Sequence, residues 1–394
     1  MAARLGSLGF SVEYIMFKKS LKIVRMIIFI TILVLVIAIA TPQGRSALKT
    51  IGFVFQVIPS IPVKPLALFS SEPIREEVNF PRTFTDGIAD IYRPKNDKKN
   101  AAVLLFLGVN PAGRDDSRVV DLAESLARTG MVVMIPWSDT MTQNRIEPDE
   151  VGNLVNAYKY LMKQEYVDAD RVGIGGFCVG ASLAAVAAQD TSIRDNIAFI
   201  NLFGGYFDAT DLMASISSGT RFGDYGEQPW EPSELATSVL RGHLIQTLTL
   251  ESDRLLIENI FINQEEKTAN GIETLSEQGK RVYKLLSGTS LYEARELISE
   301  LPVDFKDEME IVSPIGNVKD IKGKILIMHD ASDNNVPPEE SRRLFESVSD
   351  REDVVYTEFA FFNHMDPARD VGPLTWVVDV YKLFMHLYNI IRIT

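Results

Sequence analysis

Gly173-Ile-Gly-Gly-Phe-Cys-Val-Gly-Ala-Ser182, GIGGFCVGAS, carries an apolar run that begins at Arg171 straight into the helical-looking GASLAAVAAQ. It contains the chain's single cysteine, Cys178, with Gly176 and Gly180 two residues to either side. A strand that turns sharply into a helix forces the corner residue into a strained backbone conformation, and small residues at minus two and plus two keep the chain from colliding with itself. The corner lifts its side chain above the sheet, where the positive end of the following helix favours an anion. A nucleophile suits that place. The plainer reading of Cys178 is a small buried hydrophobe, the commonest fate of a free cysteine.

The same rhythm extends outward. Apolar runs at 101–108, 131–137, 171–176, 197–205, 324–329 and 354–362 are mostly separated by helix-length segments, with helices expected over 116–129, 150–166, 180–189, 338–348 and 374–393. Continuous apolar strands alternating with helices predict an α/β fold, a mostly parallel sheet covered on both faces. Ahead of them, residues 79–94 show Asp86-Gly87 between two strand-like runs, the signature of a hairpin, and two edge strands are expected there. Between 207 and about 310 the alternation stops. Leu240, Leu244 and Leu248 recur at fours and Ser290-Leu-Tyr-Glu293 has the form of a capping box, so the interval reads as a helical insertion, a lid or else an independent domain.

A thiol nucleophile needs a base, and the base an orienting acid; on this architecture they follow in the order nucleophile, acid, histidine. The chain has four histidines. His243 falls in the insertion and His386 on the terminal helix, where core or surface roles are expected, and His329 ends a strand. His364 lies in the loop after the last strand, where an imidazole reaches a neighbouring strand end, and is the expected base. Asp333 and Asp330 share the turn after KILIMH; Asp333 is far enough from the strand to fold back to the histidine, Asp330 suits bracing the turn, and Asp208 is a third choice. For an oxyanion, the backbone amide of Val179 starts the helix, and the loop 107–114 offers Val109 or Asn110 as the second donor.

These residues resemble the α/β-hydrolase fold, and the elbow Gly176-Phe-Cys-Val-Gly180 resembles its dienelactone hydrolase branch, in which cysteine replaces the usual serine. The similarity runs from about 79 to 391 outside the insertion, and includes the turn His329-x-x-x-Asp333-x-x-Val336-Pro337 and Ser313-Pro314 before the strand that follows the insertion. It implies Cys178 as nucleophile, Asp333 as acid and His364 as base of a hydrolase that cleaves carboxylic esters or lactones through a thioacyl intermediate, with no metal or organic cofactor. The chain departs from that branch in its front segment, its long insertion, and the lack of an acid in Leu107-Gly-Val-Asn110. Acyl transfer to another alcohol and an inactive hydrolase-fold binding module at a membrane are the alternatives. Phe222, Tyr225, Trp230 and Phe261 are expected to select the substrate from the lid.

The front of the chain points to a membrane. MIIFITILVLVIAIA, 26–40, is uncharged and preceded by Lys18, Lys19, Lys22 and Arg25. Residues 1–40 read as a signal anchor or a cleaved signal peptide, either of which leaves the remainder outside the cytoplasm. Residues 41–75 read as a linker, since Pro59, Pro62 and Pro65 interrupt its apolar stretch, and 76–394 as the catalytic domain. A net charge of −13 excludes a nucleic-acid surface, and one cysteine excludes both an intrachain disulfide and a cysteine metal cluster.

Overall fold

The computed structural model describes residues 19, 21–31, 33, 36, 37, 39–83, 85–223, 226–263 and 269–394. An antiparallel hairpin, β1 (Ile74–Pro81) and β2 (Asp86–Arg93), opens the sheet. Its turn lies one step earlier than expected: Asp86 and Gly87 already belong to β2, with Asp86 facing Pro81, and the Arg82 amide donates to the Thr85 carbonyl at 2.9 Å. The six apolar runs supply β3 (Asn100–Phe106), β4 (Val132–Pro136), β5 (Val167–Phe177), β6 (Phe199–Phe203), and, beyond a small antiparallel ribbon of β7 (Thr220–Gly223) and β8 (Gly226–Pro229), β9 (Lys324–Asp330) and β10 (Val354–Phe359). The large sheet runs β1-β2-β4-β3-β5-β6-β9-β10 and is parallel from β4 to β10. β2 therefore lies inside, paired antiparallel with β4, and only β1 of the hairpin is an edge.

Neighbouring residues in the central strands enter different cores, because successive side chains of a strand point to opposite faces. Leu104, Phe106, Val132, Met134, Ile325 and Ile327 belong to one cluster, while Val103, Leu105, Val133, Ile135, Leu326 and Met328 belong to the other. The second face is covered by α1 (Pro42–Val57), which packs with the short α2 (Leu66–Phe69), by α3 (Ser117–Arg128), and by the C-terminal helix Pro373–Ile391. The segment expected as linker is thus helical up to Val57, and its Phe53 and Val54 are buried; Pro59 stops the helix, as proline must. After the short turn α4 (Asp139–Thr142), the first face receives α5 (Asp149–Met162) and α6 (Val179–Ala187). Eight of the nine residues of α6 are buried, so this helix, apolar on all sides, is fixed between sheet and neighbours.

Between β6 and β9 the chain forms α7 (Ala209–Ser218), the β7–β8 ribbon, α8 (Glu234–Gln246), α9 (Glu251–Phe261), α10 (Ala269–Glu273), α11 (Glu277–Ser287), α12 (Leu291–Ser299) and α13 (Val303–Ile311). The two strands around this insertion pair directly, Phe199 opposite Lys324. Buried Leu240, Leu244, Ile257, Leu285 and Ile298 join the core of the first face. Ser290 Oγ accepts from the Glu293 amide at 3.2 Å, the cap anticipated for α12. Helices α14 (Pro338–Ser347) and α15 (Pro373–Ile391) complete the fold. No helix among the described residues is long and apolar enough to cross a membrane; residues 1–18 and positions 32, 34, 35 and 38 of the apolar run lie outside the described residues.

Candidate active site

Cys178 sits between β5 and α6 with φ +54° and ψ −137°, a conformation that a side-chain-bearing residue adopts only when its surroundings impose it. Its amide donates to the Phe203 carbonyl at 2.8 Å and its carbonyl accepts from the Ala181 amide at 2.9 Å. The flanking glycines are a steric requirement. A methyl group on Gly176 would stand 2.3 Å from the Gly180 carbonyl oxygen, and one on Gly180 would stand 2.5 Å from the Gly108 nitrogen. Backbone blocks both positions, so no side-chain rotation relieves the clash.

Three strand ends converge over this corner. Asp333 lies three residues past β9 and His364 five past β10. Their contact, Nδ1 to Oδ2, is 2.5 Å and buried. The imidazole passes over the end of β6, where an added methyl on Gly204 would stand 3.3 Å from His364 Cε1 and 3.6 Å from Asp333 Oδ2. The other Asp333 oxygen accepts from the amides of Asn335 at 2.7 Å and Val336 at 3.2 Å, and the Asp333 carbonyl accepts from Trp230 Nε1 at 2.8 Å.

Burial by itself opposes charge on both partners, and their mutual attraction offsets it. The charge of His364 and the hydrogen bonds from His329 and His364 hold the Asp333 carboxyl well below the usual carboxylate range. Burial would lower His364, but Asp333, and after it the neighbouring Cys178, raise its imidazole well above the ordinary value. His364 Nε2 is buried and meets no acceptor at hydrogen-bond geometry among the described residues. Cys178 acts on the same ring.

Asp330 has a different task. Fully buried, it pairs through both oxygens with Arg369, at 2.6 and 2.8 Å, and accepts from the His364 backbone amide at 2.9 Å. It ties the histidine loop to the acid turn, and His364 has φ +56° there. Asp208 caps α7, accepting from the Thr210 amide at 2.8 Å. Two contributors escaped sequence reading. Arg369 is one. His329 is the other: its Nε2 lies 3.0 Å from the Val336 carbonyl and 3.4 Å from Asp333 Oδ2, while Nδ1 meets Ser341 Oγ at 2.6 Å. Nothing in the local sequence marks Arg369, which depends on the loops the sheet order brings together, whereas His329 meets residues of its own turn and the helix that follows.

Val179 opens α6 immediately after Cys178, so its amide faces the space above the sulfur. Of the two residues expected to supply a second donor, Asn110 is excluded by its own geometry, because its amide donates to the Met141 carbonyl at 3.3 Å. Val109 lines the cavity beside Cys178.

That cavity encloses about 680 Å³ including its mouth and touches Cys178, Val179 and Val109 on the floor. Its roof comes from the insertion: Leu212 and Met213 of α7, Val239 and Leu240 of α8, and Met309 of α13. Three of the four aromatic residues expected there lie elsewhere. Phe222 is exposed on β7, Phe261 packs on Tyr283 with ring centroids 5.7 Å apart, Trp230 is bound to the acid turn, and Tyr225 lies outside the described residues. Helical spacing marks which insertion residues are apolar but not which of them face a cavity. Among the described residues no group of three or more His, Cys, Asp and Glu side chains is arranged to hold a metal ion.

No protein-family model and no curated protein matches this sequence. Solved structures do, at a distance. An acylaminoacyl peptidase in complex with Z-Gly-Gly-Phe-chloromethyl ketone is 15% identical, with 81% of this chain and 42% of that one covered and a TM-score of 0.48. A puromycin-hydrolyzing peptidase of Mycobacterium tuberculosis is 16% identical over 84% of this chain and 40% of that one, with a TM-score of 0.49. A hyperthermophilic esterase from Pyrobaculum calidifontis is 15% identical over 83% of this chain and 86% of that one, with a TM-score of 0.45. The chain spans less than half the length of these two peptidases.

Proposed function

We propose that this protein is a hydrolase of the α/β-hydrolase type that cleaves carboxylic esters or lactones through Cys178, His364 and Asp333, the cysteine being the feature it shares with the dienelactone hydrolase branch. The observation that carries the reading is Cys178 in its strained corner, beneath an apolar cavity and beside a buried imidazole held 2.5 Å from Asp333. His364 Nε2 takes the proton of Cys178, and the sulfur forms a bond to the substrate carbonyl carbon while the π electrons move onto oxygen. The amides of Val179 and Val109 stabilise that oxyanion. Collapse breaks the carbon–oxygen bond to the alcohol, which leaves with the proton from His364. The same imidazole then removes a proton from water, the hydroxide attacks the thioester, and the carbon–sulfur bond breaks to return the thiolate and then the thiol. A thiolate is a better leaving group than an amine, which favours esters with good leaving groups over peptides. The insertion serves as a lid that excludes water from the acyl group, and the hydrocarbon walls suit an acyl chain of several carbons.

The test compares the protein with Cys178→Ala on short p-nitrophenyl esters, following turnover and intact mass. Cys178-dependent turnover with a thioacyl adduct is the expected result. A lack of both across several esters and pH values favours the binding-module reading, and new esters formed with added alcohols instead favour acyl transfer.

The same proposal has the 26–40 run holding the protein at a membrane with its catalytic body outside the cytoplasm. In support, Leu374, Val377, Val378, Tyr381 and Met385 of α15 are exposed along one stripe, as are Leu68 and Phe69 of α2, and both helices pack against α1, which follows that run.

A further inference from the structure

One wall of the cavity is a stripe of α8: Leu235, Ala236, Val239, Leu240 and His243 recur at spacings of three and four, so all face inward together. Four are hydrocarbon and the last is an imidazole. His243 Nε2 accepts from the Ile146 backbone amide at 3.1 Å. A backbone amide only donates, so Nε2 carries the lone pair and in the neutral ring the hydrogen resides on Nδ1. The ring is neutral at pH 7: burial, followed by the opposing effects of Glu147, which raises it, and Arg145, which lowers it, brings its pKa down to about 4. Glu147 and Arg145 are paired with each other.

The other polar groups on the wall are occupied. Tyr206 donates its hydroxyl to the Val312 carbonyl at 3.0 Å, and Asn335 Oδ1 accepts from Ser233 at 2.5 Å. His243 Nδ1–H has no hydrogen-bond partner among the described residues. The Ile146 contact uses only one ring nitrogen of His243, and the residue itself lines the hydrocarbon-walled space that begins at Cys178.

We propose that His243 is a specificity residue whose Nδ1–H binds a neutral oxygen acceptor, such as a ketone, an ether or a second ester carbonyl, carried along an otherwise apolar acyl chain of the substrate. A neutral donor in an apolar wall selects an uncharged acceptor, because a carboxylate would enter without a compensating cation. A site that hydrogen-bonds its ligand also discriminates strongly against the analogue lacking the acceptor, far more than an apolar wall discriminates between chain lengths. The assignment rests on reading the cavity as the acyl site of Cys178.

The experiment measures kcat/KM of the full chain for p-nitrophenyl hexanoate against its 3-, 4- and 5-oxo derivatives, in the wild type, His243→Met and His243→Gln. In the wild type one oxo ester is expected to exceed hexanoate by roughly tenfold or more. Methionine has no donor, and its ratio falls to near unity; glutamine, which accepts from Ile146 and still donates, recovers part of it. A wild-type ratio near unity at every position, or the same ratio in His243→Met, overturns the assignment. Binding in Cys178→Ala separates this inference from the catalytic one: methyl pentyl ketone is expected to bind more tightly than 1-heptene, with the difference abolished by adding His243→Met. Selective ketone binding without turnover in the wild type would keep His243 as a reader of the ligand and sink the hydrolase. Turnover without oxo selectivity would do the reverse.

Discussion

Cys178 is held at positive φ by contacts that its neighbours make, not by its own side chain, and that makes Gly176 the most sensitive position of the elbow. In Gly176→Ala the new methyl would press on the Gly180 carbonyl at 2.3 Å, and unfolding in urea is expected to show a loss of about 3 kcal/mol or more, at the upper end of overpacking costs. Gly113→Ala is the control: its φ is +74° but nothing lies within 4 Å, so only backbone strain of about 1 kcal/mol is expected. Equal losses in the two would mean that the elbow is no tighter than an ordinary turn. The second residue-scale consequence concerns His364. Its elevated pKa depends partly on Cys178, so in Cys178→Ala the imidazole should release its proton at a lower pH than in the wild type. The sign for stability follows from the same shift: the contribution of protonated His364 is complete below the unfolded value of about 6.5 and is lost as pH rises through the higher folded one. NMR of the four histidines resolves it, because burial lowers His243 to about 4 and His386 to about 3, leaving both neutral across the window. A His364 titration unmoved by the substitution would uncouple the ring from the sulfur and remove the physical basis for the catalytic pair.

Two loops meeting at one buried carboxylate determine whether that pair forms. Asp330 holds the loop after β10 to the turn after β9, and Arg369 neutralises it from the solvent side. Losing one partner of a fully buried ion pair costs about 3–5 kcal/mol, and since Arg369 reaches solvent a smaller loss, about 2 kcal/mol, is expected for Arg369→Gln. Its effect on catalysis should exceed its effect on substrate affinity, with kcat for p-nitrophenyl esters falling at least about tenfold because the imidazole is misplaced. A variant destabilised to that extent but with unchanged kcat would confine Arg369 to the fold. The strands themselves were legible because each is a short apolar run bounded by turn residues, and the buried sheet leaves no other place for them. The Cys178 corner was legible for the same reason, since its glycines answer a local steric demand. What depends on tertiary meeting is not legible: Arg369 beside the acid turn, the β7–β8 ribbon whose Thr220–Pro229 stretch has no apolar alternation, and the placement of the Phe222 and Phe261 rings away from a cavity that the α7 and α8 faces line instead. Helix α1 was hidden by the prolines that follow it, though those prolines only end it.

At the scale of the molecule, one face of the sheet carries the site and the insertion, while the other is covered by α1, α3 and α15, and it is this second layer that leaves an apolar stripe outside. Leu374, Val377, Val378, Tyr381 and Met385 follow the spacing of one helical face, yet the core beneath is already closed by Leu383, Leu387 and Ile390 on the opposite side. A chain with net charge −13 has no need of such a stripe for solubility, and the apolar 26–40 run lies just before α1, against which α15 packs. The proposed membrane attachment predicts that the stripe lies in the interface, as amphipathic helices do. Trp376 supplies the probe. It sits half-buried next to Val377, whereas the other two tryptophans are committed to the body, Trp137 donating to Asp90 at 2.7 Å and Trp230 to the acid turn. With the full chain reconstituted in phosphatidylcholine vesicles, lipids bearing a spin label near the headgroup should quench the share of the emission that belongs to Trp376, and Trp376→Phe should remove that quenching. Emission equally quenched in both proteins, or quenched in neither, would mean that α15 faces water and that the apolar run alone governs any contact with lipid.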